Sequence, residues 1–150
     1  LPMSFPKITM DRLESIVKEE DLVYDIDLND GELGLGFPDM AVWFNISEDV
    51  LRTYAYWRGE LTVAEDIRKA YFVANDLNSK LLSPKILVNS NEDNNRAKIM
   101  FEHSVLNHPG MTDEQLLAQV RMEIGSFVYA SEQMKEIFPH VVDWEEEQED

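Results

Sequence analysis

The sequence predicts an α+β domain in which helices pack on an antiparallel sheet. Some segments alternate apolar and polar residues and are separated by short turns, as in an antiparallel meander. Other segments place apolar residues three and four apart, which is the spacing of one helix face. The chain has 150 residues, of which 44% are hydrophobic, and this is enough for one core. We therefore expect one domain over residues 1–142 with the element order α-β-β-β-α-β-β-α.

The first helix and the first strand are visible in the local pattern. Thr9 can cap a helix over residues 10–19, because its hydroxyl can accept a hydrogen bond from the first helical turn. In residues 22–28, large apolar side chains alternate with Asp25 and Asp27. A half-buried strand is therefore expected there.

Two further strands are expected in the first half of the chain. The turn signal at 29–31 precedes a segment through Gly34 and Gly36 that is too irregular to assign. Alternation resumes at 40–46, and a third strand follows at 51–58 after a short turn. These strands form the predicted meander.

Two capping boxes introduce the longer helices. Residues 62–65 and 112–115 both have the required spacing of a threonine and a glutamate or glutamine. Prolines end both helices. The predicted elements are a helix ending near residue 80, strands at 85–89 and 96–106, and a helix ending near residue 138. The residues of the first of these helices expected to face the core are Ile67, Ala70, Tyr71, Ala74, Leu77 and Leu81.

The chain is strongly acidic, with a formal net charge of −17. Its last eight residues, 143–150, hold six acidic side chains and are expected to be a disordered tail. Such a surface repels phosphate backbones, so we expect no nucleic acid partner and favour basic or neutral partner surfaces. The sequence has no cysteine, no apolar run long enough to span a bilayer and no signal-peptide features at its start. A cytoplasmic protein without membrane contact is expected.

No motif indicates catalytic, cofactor-binding or metal-binding residues. The acidic segment at 25–31 lacks the glycine and glutamate positions of a calcium loop, so a strand and a turn are favoured. Asn75 and Asn78 share a helix face and either contact a ligand or bind the following loop, and we favour the second. Metal-site spacing is absent among the histidines, which are His103, His108 and His140. We therefore expect neither an enzyme nor a bound cofactor or metal.

Six segments spread along the chain form a pattern known from one bacterial family. They are ITMDRL at 8–13, YAYWRG at 54–59, VANDLN at 73–78, PK at 84–85, PGMTDEQL at 109–116 and FP at 138–139. Through them the chain resembles the YbjN-like family of sensory transduction regulators, in the form found in actinobacteria. The resemblance implies the same element order, in a fold like that of type III secretion chaperones. It implies regulation and no particular reaction.

The residues expected to bind a partner lie on one face of the predicted sheet. Because alternate residues of a strand point to opposite faces, Tyr54 and Tyr56 should point away from the helices. Arg52 and Arg58 lie on the same side of that strand, and Trp43 lies on that side of the preceding strand. Aromatic residues and arginine are enriched at protein interfaces. We expect an adaptor or chaperone-like homodimer that binds a protein of unknown identity through these residues.

Three alternatives stay open. The acidic tail could cover this aromatic surface through Trp144, with its glutamates meeting Arg52 and Arg58. A sensory domain could instead hold a small ligand between the sheet and the last helix. A hydrolase could be assembled from residues that are scattered in the sequence.

Overall fold

The fold is a six-stranded antiparallel sheet with three helices on one face. The computed structural model describes residues 5–91, 93 and 95–145. The elements are α1 (Met10–Glu19), β1 (Tyr24–Asp27), β2 (Glu32–Gly36), β3 (Met40–Ile46), β4 (Val50–Leu61), α2 (Ala64–Lys80), β5 (Lys85–Asn91), β6 (Arg96–Leu106), α3 (Asp113–Ile137) and a 3-10 turn at Pro139–Val141. The strand order is β1-β2-β3-β4-β6-β5. The predicted α+β class is confirmed, with one strand more than the sequence indicated.

Helix α1 begins and ends where the sequence predicts. The Thr9 hydroxyl accepts a hydrogen bond from the backbone N–H of Arg12 at 3.3 Å. The Arg12 guanidinium also binds Asp113 at 2.8 Å and the carbonyl of Met111 at 2.7 Å. One side chain of α1 therefore fixes the start of α3.

Strand β2 is the element that the sequence left unassigned. Leu33 and Leu35 are buried in the core, but glycines follow each of them. Gly34 lies opposite Trp43 of β3, and a Cβ atom on Gly34 would lie 2.6 Å from the indole ring. The missing side chain makes room for Trp43, and it also removes the alternation that would reveal a strand.

Helix α2 has the predicted length but a different start. Its N-cap is Val63, which makes no side-chain capping hydrogen bond, so the predicted capping box at 62–65 is wrong. The Thr62 hydroxyl lies one residue too early to reach the first turn. Tyr71 is also not in the core, because its ring is 50% exposed and its hydroxyl binds Ser90.

Asn78 ties the end of α2 to strand β5. Its amide oxygen accepts from the N–H of Ile86 at 2.9 Å, and its amide nitrogen donates to the carbonyl of Ile86 at 3.0 Å. One amide thus satisfies both backbone groups of a strand residue. The structural interpretation of Asn78 is confirmed, whereas Asn75 lies exposed on the helix.

Helix α3 begins at the predicted capping box. The Thr112 hydroxyl accepts from the N–H of Gln115, and the Gln115 side chain accepts from the N–H of Thr112. Further along the helix, the ring of Phe127 packs 6.1 Å from that of Phe101 on β6. No helix in the described part of the chain is both long enough and apolar enough to cross a membrane.

The core extends beyond the domain end predicted at residue 142. Trp144 is 2% exposed, and its ring packs 5.7 Å from that of the fully buried Trp57. Its Nε1 donates to Asp39 at 2.9 Å. The predicted tail therefore starts too early, because burial of a large aromatic ring outweighs the charge of its neighbours. The remainder of the tail, 146–150, lies outside the described residues.

Candidate interaction face of the sheet

One side of the sheet carries the five residues that the sequence singled out. On β4, Thr53, Ala55 and Trp57 are fully buried, and the residues between them point to the other side. In the described part of the chain, the helices pack on the buried side. We call the other side the open face, and the predicted site residues on it are Trp43, Arg52, Tyr54, Tyr56 and Arg58.

Tyr54 lies at the centre of the open face. It is the cross-strand partner of Trp43, and its ring meets that of Tyr56 edge to face at 6.5 Å. The Tyr54 hydroxyl donates to Glu32 of β2 at 2.8 Å. Burial and the contact with this carboxylate raise the pKa of Tyr54 to about 12. The phenol therefore stays protonated and links β4 to β2.

Arg52 is held by its neighbours on the same face. Its guanidinium lies 4.3 Å from the centre of the Tyr54 ring, and its Nε and Nη2 donate to one oxygen of Glu102 at 2.9 and 2.7 Å. Lys85 binds the other carboxylate oxygen at 2.8 Å. The hydrogen bonds from Lys85 and Arg52 lower the pKa of Glu102 although burial opposes the shift. The charge of Arg52 is therefore already paired.

Arg58 has different surroundings at the far end of β4. Its Nη1 donates to the carbonyl of Pro38 at 3.3 Å, and its guanidinium lies 5.3 Å from the ring of Trp144. The alternative in which Trp144 covers the exposed aromatics is wrong, because this indole is buried in the core. Glu145, the next residue, binds Lys135 of α3 instead of an arginine.

Two adjoining cavities cross the open face where the strands lack large side chains. Their volumes are about 320 Å³ and about 250 Å³. Gly36 and Ala41 line both cavities, so the two are continuous. Tyr56 lines the larger cavity and Trp43 the smaller one. We call this pair of cavities the trough.

The acidic segment at 25–31 forms strand β1 and a tight turn. One oxygen of Asp27 accepts from the backbone N–H of Asn29 at 3.0 Å and from that of Asp30 at 3.4 Å. Its negative charge raises the pKa of Asp30. The interpretation as a strand and a turn is confirmed.

A buried carboxylate on α3 was missed by sequence reasoning. Glu123 has no exposed surface and accepts hydrogen bonds from Thr53 at 2.7 Å and from Gln119 at 3.0 Å. Burial raises the pKa of Glu123 to about 7, although both hydrogen bonds oppose the shift. The helical spacing contained the signal, since Glu123 falls between the buried Val120 and Phe127. A side chain without exposed surface links α3 to β4 and does not meet a substrate.

A second polar group surrounds His103 on the helix side of β6. Its Nδ1 lies 3.2 Å from the hydroxyl of Ser83, which in turn lies 3.0 Å from that of Ser126. Burial lowers the pKa of His103 and favours the neutral ring. A nucleophilic serine needs a base that is itself oriented by a third group, but the Glu123 carboxylate is bound by Thr53 instead. Within the described residues, no group of three or more acidic or histidine side chains could hold a metal ion.

The same fold occurs in a solved bacterial structure. The crystal structure of YbjN from E. coli, described as a putative transcription regulator, matches with a TM-score of 0.70 and 15% sequence identity. The match covers 85% of this chain and 92% of that chain. At this identity the similarity shows the fold alone. No curated protein matches the chain.

Sequence comparison identifies the family. Residues 6–127 match the model of the family YbjN, which carries the description "putative bacterial sensory transduction regulator". This range includes α1, α2, all six strands and the first half of α3. The narrower assignment to an actinobacterial form stays a prediction. Because the match spans most of the chain, the protein belongs to the YbjN family.

Proposed function

We propose that this protein is a regulatory adaptor without enzymatic activity that binds a protein partner through the open face. The observation that carries the proposal is the Tyr56 ring, which is 39% exposed next to Tyr54 on a sheet face that no described helix covers. Tyrosine, tryptophan and arginine are the residues most enriched among those that dominate binding energy. The family description as a regulator supports a role in binding.

The open face is held in one arrangement before any partner arrives. Glu32 holds the Tyr54 hydroxyl, and Glu102 holds the Arg52 guanidinium. Side chains that are already fixed lose little conformational entropy on binding. This arrangement favours recognition by a preformed surface, and we place that recognition in the cytoplasm.

We also propose that the protein forms a homodimer, and the edge of the sheet at β5 supports this. Strands β1 and β5 are the two edges, and an edge strand has backbone groups that can pair with another chain. Asp25 and Asp27 would repel their copies at the β1 edge, whereas β5 contains no acidic residue. A β5 edge contact would leave the open face available. Sedimentation velocity should then give the mass of a dimer, and a monomer at every concentration would rule the dimer out.

Replacement of Tyr56 tests the role of the open face, with Tyr129 as the matched control. Tyr129 is 49% exposed but lies on α3, away from this face. The wild type, Tyr56→Ser and Tyr129→Ser are immobilised, and the proteins that each retains from the native cytoplasm are identified and quantified. We expect Tyr56→Ser to lose, by roughly tenfold, proteins that the other two retain, since loss of a central aromatic contact costs about 1.4 kcal/mol or more. Equal retention by all three would show that the partner binds elsewhere.

The other two alternatives find less support in the side-chain arrangement. The space between the sheet and α3, where a small ligand was expected, is filled by the buried side chains of Phe101, Phe127 and Met134. The serine and histidine at positions 83 and 103 are the nearest approach to a hydrolytic pair, and no bound carboxylate orients the ring. Protein binding therefore remains the function that the geometry supports best.

A further inference from the structure

We propose that the trough binds an extended peptide segment of the partner, in which apolar side chains are followed by an acidic residue. This inference rests on the proposed function and specifies the chemistry of the partner. Its basis is the shape of the trough and the charges at its ends.

The trough is shaped for side chains that enter between strands. Gly36 and Ala41 form its floor, so no side chain larger than a methyl group fills it. Phe37 and Tyr56 line one cavity, and Trp43 lines the other. Volumes of about 320 and 250 Å³ lie at or below the low end of the roughly 300–1,000 Å³ that small-molecule sites occupy. Two such adjoining spaces suit individual apolar side chains better than one compact ligand.

The length of the trough matches a short extended segment. It runs from β1 across β2 and β3 to β4, and these strands are neighbours in the sheet. Three strand spacings of about 4.8 Å make roughly 14 Å, which four or five extended residues cover at about 3.3 Å each. In an extended segment, alternate side chains point the same way. Two apolar residues of one segment can therefore occupy the two cavities.

The charges at the rim select an acidic residue at one end. Arg58 and Lys98 both line the larger cavity, and Lys98 donates to the carbonyl of Arg58 at 3.2 Å. In the described ranges neither cation has a carboxylate within 4.0 Å, unlike Arg52 and Lys85, which share Glu102. Two such cations are unusual in a chain of net charge −17. At physiological salt the Debye length is about 8 Å, so this local pair governs the contact despite the overall charge.

Residues 146–150 of the chain itself are the competing occupant. Their sequence, Glu-Glu-Gln-Glu-Asp, offers carboxylates for Arg58 and Lys98. It contains no apolar side chain for either cavity. A partner segment that carries both kinds of group is therefore the better match.

Selection of peptides on the full chain tests this proposal. A library of displayed random seven-residue peptides is selected against the wild type, and the binding of the selected peptides is then measured by fluorescence anisotropy. We expect two apolar residues with an acidic residue at one end, and weaker binding at higher salt. Selected peptides without enrichment of an acidic residue would overturn the proposal.

Two substitutions address the floor and the rim separately. Ala41→Gln places a side chain on the floor at an exposed position, and it should weaken peptide binding at least roughly tenfold. Lys98→Gln should weaken binding roughly three- to tenfold and remove the preference for an acidic residue, while Arg58 keeps its contact with Trp144. Tyr129→Ser should bind like the wild type. Equal binding by all four proteins would place the peptide site elsewhere.

The remaining outcomes distinguish other occupants from a failure of the proposed function. Binding only by a chain that ends at residue 145 would identify the acidic tail as the occupant. A loss of the dimer in Ala41→Gln would identify a second copy, and either result overturns the proposal. If no peptide is selected but Tyr56→Ser still loses its captured proteins, the peptide inference fails and the adaptor function stands. If both experiments fail, the open face is not an interface.

Discussion

At the scale of single residues, Glu123 has an environment that differs most from water. Its carboxylate lies on the helix side of β4, between Thr53 and Gln119, without exposed surface. A buried carboxyl group is easier to accommodate when it is neutral, and burial accordingly raises the pKa of Glu123 to about 7. The protonation of one side chain is therefore coupled to the packing of α3 on the sheet.

Glu123 should make the protein less stable as the pH rises from about 4.5 to about 7. The folded state holds this proton up to a pKa of about 7, whereas the unfolded chain releases it near the model value of 4.5. The stabilisation is complete below the unfolded pKa and is lost as the pH rises through the folded pKa. A shift of this size corresponds to about 3 kcal/mol in the free energy of unfolding.

Glu123→Gln is the variant that tests this dependence. The amide can accept from one neighbour and donate to the other at every pH, so the variant should exceed the wild type in stability at pH 8. Urea unfolding of both proteins at pH 5, 6, 7 and 8 gives the difference at each pH, which cancels the contributions of His103 and other groups. A difference that does not change with pH would show that Glu123 is not the titrating group.

At the scale of elements, β2 shows how one strand shapes the open face. Its Gly34 lies beneath the ring of Trp43, and its Gly36 forms part of the floor of the trough. Leu33 and Leu35 hold the other side of the strand in the core. The strand is therefore fixed by its buried leucines and leaves its outer side nearly flat for aromatic neighbours.

Gly34→Ala should displace the ring of Trp43, and Gly36→Ala is the matched control. A Cβ atom at Gly34 would lie 2.6 Å from the indole, whereas nothing lies within 4 Å of one at Gly36. We expect Gly34→Ala to lower the free energy of unfolding by about 1–3 kcal/mol, as overpacking does. We expect Gly36→Ala to change it by less than about 0.5 kcal/mol. Urea unfolding and the near-UV spectrum of tryptophan report both effects, and similar losses in the two variants would contradict the steric explanation.

At the scale of the whole molecule, Trp144 closes the core at the end of the described chain. Its ring packs against Trp57 of β4, and its Nε1 binds Asp39 between β2 and β3. These contacts connect residues more than 80 positions apart in the sequence. The last described residues are thus part of the cooperative unit that holds the open face.

Trp144→Ala should destabilise the entire domain, and Trp144→Phe should do so less. Removal of a buried tryptophan costs about 3–5 kcal/mol through lost contacts and the remaining cavity. Phenylalanine keeps a ring against Trp57 but loses the hydrogen bond to Asp39 and part of the ring volume, so a smaller loss is expected. Thermal unfolding of the three proteins gives the order, and a melting temperature of Trp144→Ala equal to that of the wild type would contradict a structural role.

Several features were determined by the sequence alone, because they depend on neighbouring residues. The hydroxyls of Thr9 and Thr112 cap helices within their own first turns. Alternation along β4 places Tyr54 and Tyr56 on the side opposite Trp57. The family also follows from segments that are read in order along the chain. Local periodicity is sufficient for such features, since it records which side of an element is apolar.

Other features were decided only by the tertiary structure, because they depend on what packs across from each residue. Gly34 makes β2 unreadable until Trp43 is placed over it, and Glu123 looks like a surface acid until Thr53 meets it. The acidic run around Trp144 hides a core residue whose partner, Trp57, lies on a distant strand. For the candidate site, the sequence placed five residues on one face, but only the structure shows that Arg52 is paired and that a trough lies beside Tyr56. Charge pairing and empty space between strands arise from long-range packing, which a local pattern does not record.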